Sequence, residues 1–493
     1  MKPPNILLVL SDQLRTDALG CYGGTRIATP HLDDLARRGV VFDRCYVNNP
    51  VCTPSRACLW TGKTVHGHGV HNLHDVLPES EHLFPERLRE LGYRTALFGK
   101  LHVSARVVDQ NETHPHEGFD VRESALSPYN HDCRHHAYRD WLRERDPAFL
   151  GRLRREGPAI GPVPGDLHFS TWVAERAGEF IRREVARGPF FCCASFVDPH
   201  DPYDDHPPGW LDGVRLGAME QVDRLPGDPQ RPAAVRREEE AGVLGALGDY
   251  SDDEVRRMRR SYYASVGFLD ACVGRVLATL RETGAERDTL VIFTSDHGEM
   301  LGDRRLLGKG AYFYEPCARV PLILRLPGGG DAGMRSAQIA QPHDIAATVL
   351  TAAGCDAAWR REHLPESRPL QEKGGRECAF GVYRNSCINR RKVFWDPPID
   401  CSMIVRGSHK LTVYHRGRPT TADEGELYDL AADPGETRNL WSGPASAGIR
   451  AALLDRLGDW LEQQERSGPG GRGGHRFPPM KEWLPNNPIR LER

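Results

Sequence analysis

Five short apolar runs punctuate the chain, at residues 5–10, 94–98, 190–197, 289–294 and 320–326, each rich in β-branched or aromatic residues and bounded by Gly, Pro or Asp. Their length and composition predict buried strands. Helical patterns lie between them. In "TPHLDDLARRG", Thr29 is placed as N-cap, Pro30 at the first helical position and Gly39 past the end. Others cover 83–91 and about 253–283. Strands that alternate with helices bury both faces in a largely parallel sheet with helices on either side. The expected fold is α/β, a large mixed, mostly parallel sheet sandwiched by helices.

The texture changes near residue 375. "ECAFGVY", "CSMIVRGSHKLTVYH" and "GELYDL" read as antiparallel strands, followed by a helix over about 445–465. This predicts a catalytic α/β domain over 1–375, a smaller α+β domain over 376–465 and a Gly/Pro-rich tail over 466–493. Phe477, Trp483 and Leu484 in the tail are expected to pack on the body or on a neighbouring subunit, as a homo-oligomer contact.

With 65 basic against 68 acidic side chains the net charge is −3, which offers no global attraction to nucleic acid or to an anionic membrane. The apolar runs are too short to cross a bilayer. The start, "MKPPNILLVLSDQ", is unlike a signal peptide, so a cytoplasmic protein is expected. The 13 cysteines show no pairing pattern, as suits a reducing compartment, and adjacent Cys192 and Cys193 are expected in the core. Only eight of the 65 basic residues are lysine. Lys100 in "FGKLH" and Lys309 in "LLGKG" sit in similar settings, each directly after a glycine, and are candidates for a task that needs a compact ammonium.

Sheets of this kind bind ligands at the carboxyl ends of their strands. There the chain carries Ser11-Asp12-Gln13, Lys100-Leu101-His102, Asp198-Pro199-His200 and Ser295-Asp296-His297. Taken singly, each Asp is as well explained by a turn or a helix cap. Asp12 and Asp296 together, with the Gln13 carbonyl and the His297 imidazole, make a donor set for a divalent cation. His200 lies in "VDPHDPY", whose prolines favour an extended loop that displays the imidazole. Cys52, in "NNPVCTPSRACLWTGK", precedes a helix expected to start at Thr53 or Ser55, where the helix dipole would lower its pKa. A buried inert thiol, as expected of Cys58, is the alternative reading. His66, His68, His71 and His74 lack the spacing of a zinc site and read as a loop near an anionic pocket.

"CTPSR" followed by Thr61-Gly62 resembles the signature C-x-P-S-R-x-x-x-x-T-G of the type I, formylglycine-dependent sulfatases of the alkaline phosphatase superfamily. "NILLVLSDQ", "GYRTALFGKLH", "VDPHDPY", "VIFTSDHGEMLGD" and "ELYDLAADPGETRNL" resemble further segments of that family, in its order along the chain. The resemblance implies that a formylglycine-generating enzyme oxidises Cys52 to formylglycine. The hydrated aldehyde would attack a sulfate monoester, and its second hydroxyl would then expel sulfate. It implies Asp12, Gln13, Asp296, His297 and residue 52 as ligands of one divalent cation, Ca2+ first and Mn2+ as the alternative. Arg56 would orient the hydrate, and Lys100 and Lys309 would neutralise the sulfate oxygens. His102 would be the base in the elimination, His200 would serve the leaving oxygen, and Asn72 matches a substrate-contacting asparagine. Gln13 and His297 depart from the Asp and Asn of many sulfatases in a way that resembles the choline-sulfatase and phosphonate monoester hydrolase branch. The activity implied is hydrolysis of a small-molecule or saccharide sulfate ester, with phosphonate monoester or phosphodiester hydrolysis as the alternative; Ser55 favours the sulfatase. Tyr203, Trp210, Tyr312 and Tyr314 are candidates to line the pocket for the organic group.

Overall fold

The structure is a computed structural model that describes residues 3–129, 131–222, 231–372, 374–386, 389–390, 394–415 and 422–467. Nine strands form the large sheet: β1 (Asn5–Ser11), β2 (Val40–Tyr46), β3 (Arg94–Gly99), β4 (Val121–Ser124), β5 (Phe190–Ser195), β6 (Thr289–Ser295), β7 (Arg319–Val320), β8 (Leu322–Arg325) and β9 (Met334–Ala340). Its spine runs β4-β3-β5-β1-β6 and is parallel throughout. Beyond β6 the direction reverses. β8 is antiparallel to both β6 and β2, β7 is antiparallel to β2, and β9 runs parallel to β2 on its other side.

Within the spine, β1, β3, β5 and β6 are largely apolar on both faces because both faces are covered. In β1, Ile6, Leu8 and Leu10 enter one core while Leu7 and Val9 enter the other. Cys192 and Cys193 divide in the same way and are fully buried, as expected. The helix Asp252–Glu282 packs on the second face, opened by a capping box in which Ser251 and Glu254 bond reciprocally. By length and composition it could cross a membrane, but 83% of its apolar window is buried inside the fold.

Three local expectations change. The run at 320–326 is broken at Pro321 into β7 and β8, because proline has no N–H to give to a ladder. Strands β2, β4 and β9 went unseen, since "VRES" and "MRSAQIA" lack a continuous apolar run. Thr29 precedes the helix Pro30–Arg37 but does not cap it with its side chain. Its hydroxyl accepts from the Gly20 amide (2.9 Å) and donates to Asp33 (3.2 Å).

The second sheet is antiparallel, in the order β10 (Cys378–Arg384), β11 (Asp400–Arg406), β12 (His409–His415) and β13 (Ala422–Asp429). The helix Ala447–Ser467 covers it, with Trp460 stacked on Phe380 at 4.5 Å and Leu453 and Leu457 in the same cluster. The sheet is joined to the large one by buried polar contacts. The Asn49 amide donates to the Val382 carbonyl (2.7 Å), and Gln341 bonds Phe380 through both atoms of its amide. Lys410 is buried between Glu315 (2.8 Å) and Glu436 (2.7 Å). The tail expected to pack as a contact lies outside the described residues from 468 onward.

Candidate active site

The registers place Ser11 beside Ser295 and Gly99 beside Ser195, so β1, β3, β5 and β6 end at one level. The polar residues that follow converge there. The helix Cys52–Thr61 points its first residue at the same place. It starts at Cys52 itself, with Val51 extended before it, rather than at Thr53 or Ser55. Pro54 is thus the third helical residue, where the missing N–H would have no partner within the helix anyway. The Asn49 side chain accepts the Val51 amide (2.9 Å) and fixes the entry.

Cys52 is 2% exposed, and its sulfur lies 2.9 Å from Lys309 Nζ and 3.1 Å from His297 Nε2. Burial works against ionisation, but Lys309, Lys100 and His297 hold the thiol well below its ordinary range. Lys309 also reaches Gln13 Oε1 (3.0 Å) and His200 Nε2 (3.0 Å). Burial opposes its charge, yet residue 52 and Asp12 raise its pKa. The Nδ1 atoms of His297 and His200 each face a backbone carbonyl, of Gly298 (2.9 Å) and Asp201 (2.7 Å). A carbonyl only accepts, so Nδ1 carries an N–H in both rings, and Nε2 is the atom each turns to the centre of the cluster.

Arg56 has no exposed surface and is engaged on every side. Its Nε donates to Asp296 (2.7 Å), one terminal nitrogen to Asp12 (3.1 Å), and the other to the Lys100 carbonyl (2.9 Å) and Ser195 Oγ (3.1 Å). It therefore aligns the two carboxylates. Lys100 Nζ sits 2.5 Å from Asp12 Oδ2. Burial favours protonation of Asp12, but Lys100, His200 and Arg56 together outweigh it and keep the carboxylate well below the usual range. His102 Nε2 meets Thr53 Oγ1 (3.1 Å), and burial, helped by Lys100, pushes its pKa down to about 4, so it is a neutral base at pH 7.

One working residue was not foreseen. Glu299 Oε2 accepts from Gln13 Nε2 (2.6 Å) while its Oε1 takes the amides of Leu301 (2.8 Å) and Gly308 (2.6 Å). Because the Gln13 NH2 also meets Tyr203 OH (3.2 Å), its carbonyl oxygen is turned to the cluster. Only the position of Glu299, two residues after His297, hinted at this. Gln13 and His102 share another feature at their strand ends, left-handed backbone with φ of 66° and 61°. Strain of this kind collects at functional sites.

Other expectations fall elsewhere. Asn72 accepts the His74 amide (2.8 Å) within its own turn. His68 is buried behind the helix, with Nε2 3.1 Å from the Cys58 sulfur. Tyr312 and Tyr314 are core residues, and Tyr314 OH donates to Glu426 (2.6 Å). Tyr203 belongs to the Gln13 cluster, and Trp210 packs on Phe268. None of these four aromatics lines the cavity of about 320 Å³ beside Lys100 and His200, whose walls include Arg106, Tyr129, Phe169 and Asp205. Core packing claimed Tyr312 and Tyr314.

One ligand atom from each of Asp12, Cys52, Asp296 and His297 lies within 4.8 Å of the others, all buried. Among the described residues Asp12 Oδ1 has no hydrogen-bond partner, an expensive state for a buried carboxylate oxygen unless something positive sits against it. With that oxygen, the imidazole of His297 and the carbonyl of Gln13, the donor set fits a divalent cation.

A family model described as Sulfatase matches residues 4–355. An arylsulfatase of Clostridium perfringens is 31% identical, over 89% of this chain and 90% of the relative. A choline-sulfatase of Rhizobium meliloti is 29% identical, over 91% of this chain and 85% of the relative. Among solved structures, the phosphonate monoester hydrolase of Agrobacterium radiobacter superposes with a TM-score of 0.71 at 25% identity, covering 94% of this chain and 96% of that one.

Proposed function

The chain belongs to the sulfatase family, and from that premise we propose that it cleaves an organic sulfate monoester to alcohol and sulfate, with residue 52 matured to formylglycine as nucleophile. The observation that carries this reading is the company of Cys52, whose sulfur stands where the formylglycine oxygen would lie. It is met at once by Lys309, His297 and the start of its own helix. Asp12, Gln13, Asp296, His297 and residue 52 would hold the divalent cation, Ca2+ first and Mn2+ as the alternative. Bound there, it would acidify the nucleophile and offset the charge of the sulfate.

The chain's own residues supply the rest. Lys100 and Lys309 are the two ammonium groups placed to take sulfate oxygens. His102, neutral and beside Thr53, accepts a proton when sulfate is expelled. His200 borders the cavity while its Nε2 meets Lys309, and it would serve the leaving oxygen of an alcohol bound there. We place the protein in the cytoplasm, with conversion of Cys52 by a formylglycine-generating enzyme.

Mass spectrometry of the peptide around residue 52 tests the nucleophile. An aldehyde at 52 and an unmodified thiol at Cys58 are expected, with activity lost in Cys52→Ala. An unmodified Cys52 in fully active protein would refute the mechanism. The second reading, phosphonate monoester or phosphodiester hydrolysis, is favoured by the Gln13 and His297 ligands and by the phosphonate monoester hydrolase likeness. Comparison of kcat/KM for an aryl sulfate and an aryl phosphonate monoester separates the two, and a preference for the phosphonate of several orders of magnitude would overturn the first.

A further inference from the structure

Two histidines and a glutamate meet outside the residues assigned above. Glu86 lies in the first turn of the helix Phe84–Glu90, and each of its carboxylate oxygens takes one imidazole, His82 Nδ1 at Oε2 and His116 Nδ1 at Oε1 (2.9 Å). The two rings stack with centroids 3.8 Å apart, and one ligand atom from each of the three residues lies within 4.8 Å of the others.

The backbone around this group is held firmly. The His116 carbonyl accepts the Leu83 amide (3.0 Å), and the His116 amide donates to His114 Nδ1 (3.3 Å). His114 Nε2 in turn faces the Pro78 carbonyl (3.0 Å), so His114 braces the loop. Gly118 runs so close to the helix that a Cβ there would lie 2.0 Å from the Glu86 nitrogen. Two chain segments are thus clamped together with two imidazoles and a carboxylate at the seam.

We propose that His82, Glu86 and His116 form a site for a divalent transition ion of the zinc, cobalt or nickel kind, which clips the 114–118 loop to the helix Phe84–Glu90. Two imidazole nitrogens and a carboxylate suit such ions and not Ca2+ or Mg2+, which take oxygen ligands. Bonds of about 2.0–2.1 Å at tetrahedral angles set neighbouring donors about 3.3 Å apart. The 2.9 Å separation of His116 and Glu86 has only to open by a few tenths of an ångström. His82, with 59% of its side chain exposed, has room to turn out of the stack. On ligation each imidazole keeps one proton, transferred from Nδ1 to Nε2, and a water completes the coordination.

Full-length protein carrying its catalytic cation is incubated with Zn2+, freed of excess metal and analysed for bound zinc, beside His82→Ala and His116→Ala. Wild type is expected to retain one more equivalent of zinc than either variant, to gain several degrees in Tm from Zn2+ where the variants gain none, and to match them in kcat/KM. Co2+ in place of Zn2+ should give visible ligand-field absorption in wild type that both variants lack. Equal zinc content in wild type and variants, or a wild type whose Tm and Co2+ spectrum do not respond, would show a hydrogen-bonded clip only and overturn the site.

Discussion

Glu238 gives a quantitative test of how the Lys309 loop is supported. It lies in the helix Ala233–Ala241, 3% exposed, and its Oε1 accepts both the Ala311 amide (3.0 Å) and Trp395 Nε1 (3.0 Å). It therefore anchors the chain two residues after Lys309. Burial pushes its carboxyl up from 4.5 to about 7. A folded pKa above the unfolded one means a contribution fully present below pH 4.5 and lost as pH rises through 7. At about 1.36 kcal/mol per pH unit, the loss is about 1 kcal/mol at pH 5, about 3 at pH 7 and about 3.4 once the group is fully ionised. Glu238→Gln keeps the acceptor oxygen and removes the ionisation. Urea unfolding of both proteins from pH 5 to 8 should show the variant gaining on wild type by about 2 kcal/mol between pH 5 and 7, then levelling. Any fixed cost of the new NH2 shifts the whole curve without changing its slope. A stability difference that is constant across this range would refute the reasoning.

Three further outcomes are expected. Arg56→Lys keeps the charge but cannot serve Asp12, Asp296, the Lys100 carbonyl and Ser195 together; it should destabilise the fold by about 3 kcal/mol or more and weaken cation binding, read by thermal unfolding and cation titration. Cys58→Ala should retain activity while losing about 1–3 kcal/mol of stability, because His68 Nε2 is left without its buried partner. Removal of the catalytic cation by a chelator should abolish turnover and lower Tm, with Ca2+ or Mn2+ restoring both; full activity in the chelated protein would remove the cation from the mechanism.

Much of the site was legible because it is built from strand ends. Asp12, Lys100, His200 and Asp296 each follow an apolar run, and a parallel sheet brings such ends together whatever the intervening sequence. Two kinds of information were not local. The orientation of Gln13 depends on Glu299, 286 residues away, and no pattern in either segment announces the pairing. The fate of the aromatic residues was decided by competition for the core. Tyr312 and Tyr314 stand three and five positions past Lys309, yet both are buried in the core, where Tyr314 bonds Glu426. The polar strands β4 and β9 were illegible because their pairing partners, not their side chains, make them strands.

The bond between Asn49 and Val382 also sets a schedule. It spans 333 residues and pins the segment that leads into Cys52, whose side chain ends almost wholly enclosed. A ribosome adding about 5–20 residues per second needs roughly 15–70 s to travel from one to the other. During that interval residue 52 has left the ribosome while the strand that locks its approach does not yet exist. If Cys52 is converted as proposed, its modifying enzyme competes with completion of the second sheet, and slowing the synthesis of residues 53–382 should raise the fraction of chains that reach the finished fold already converted.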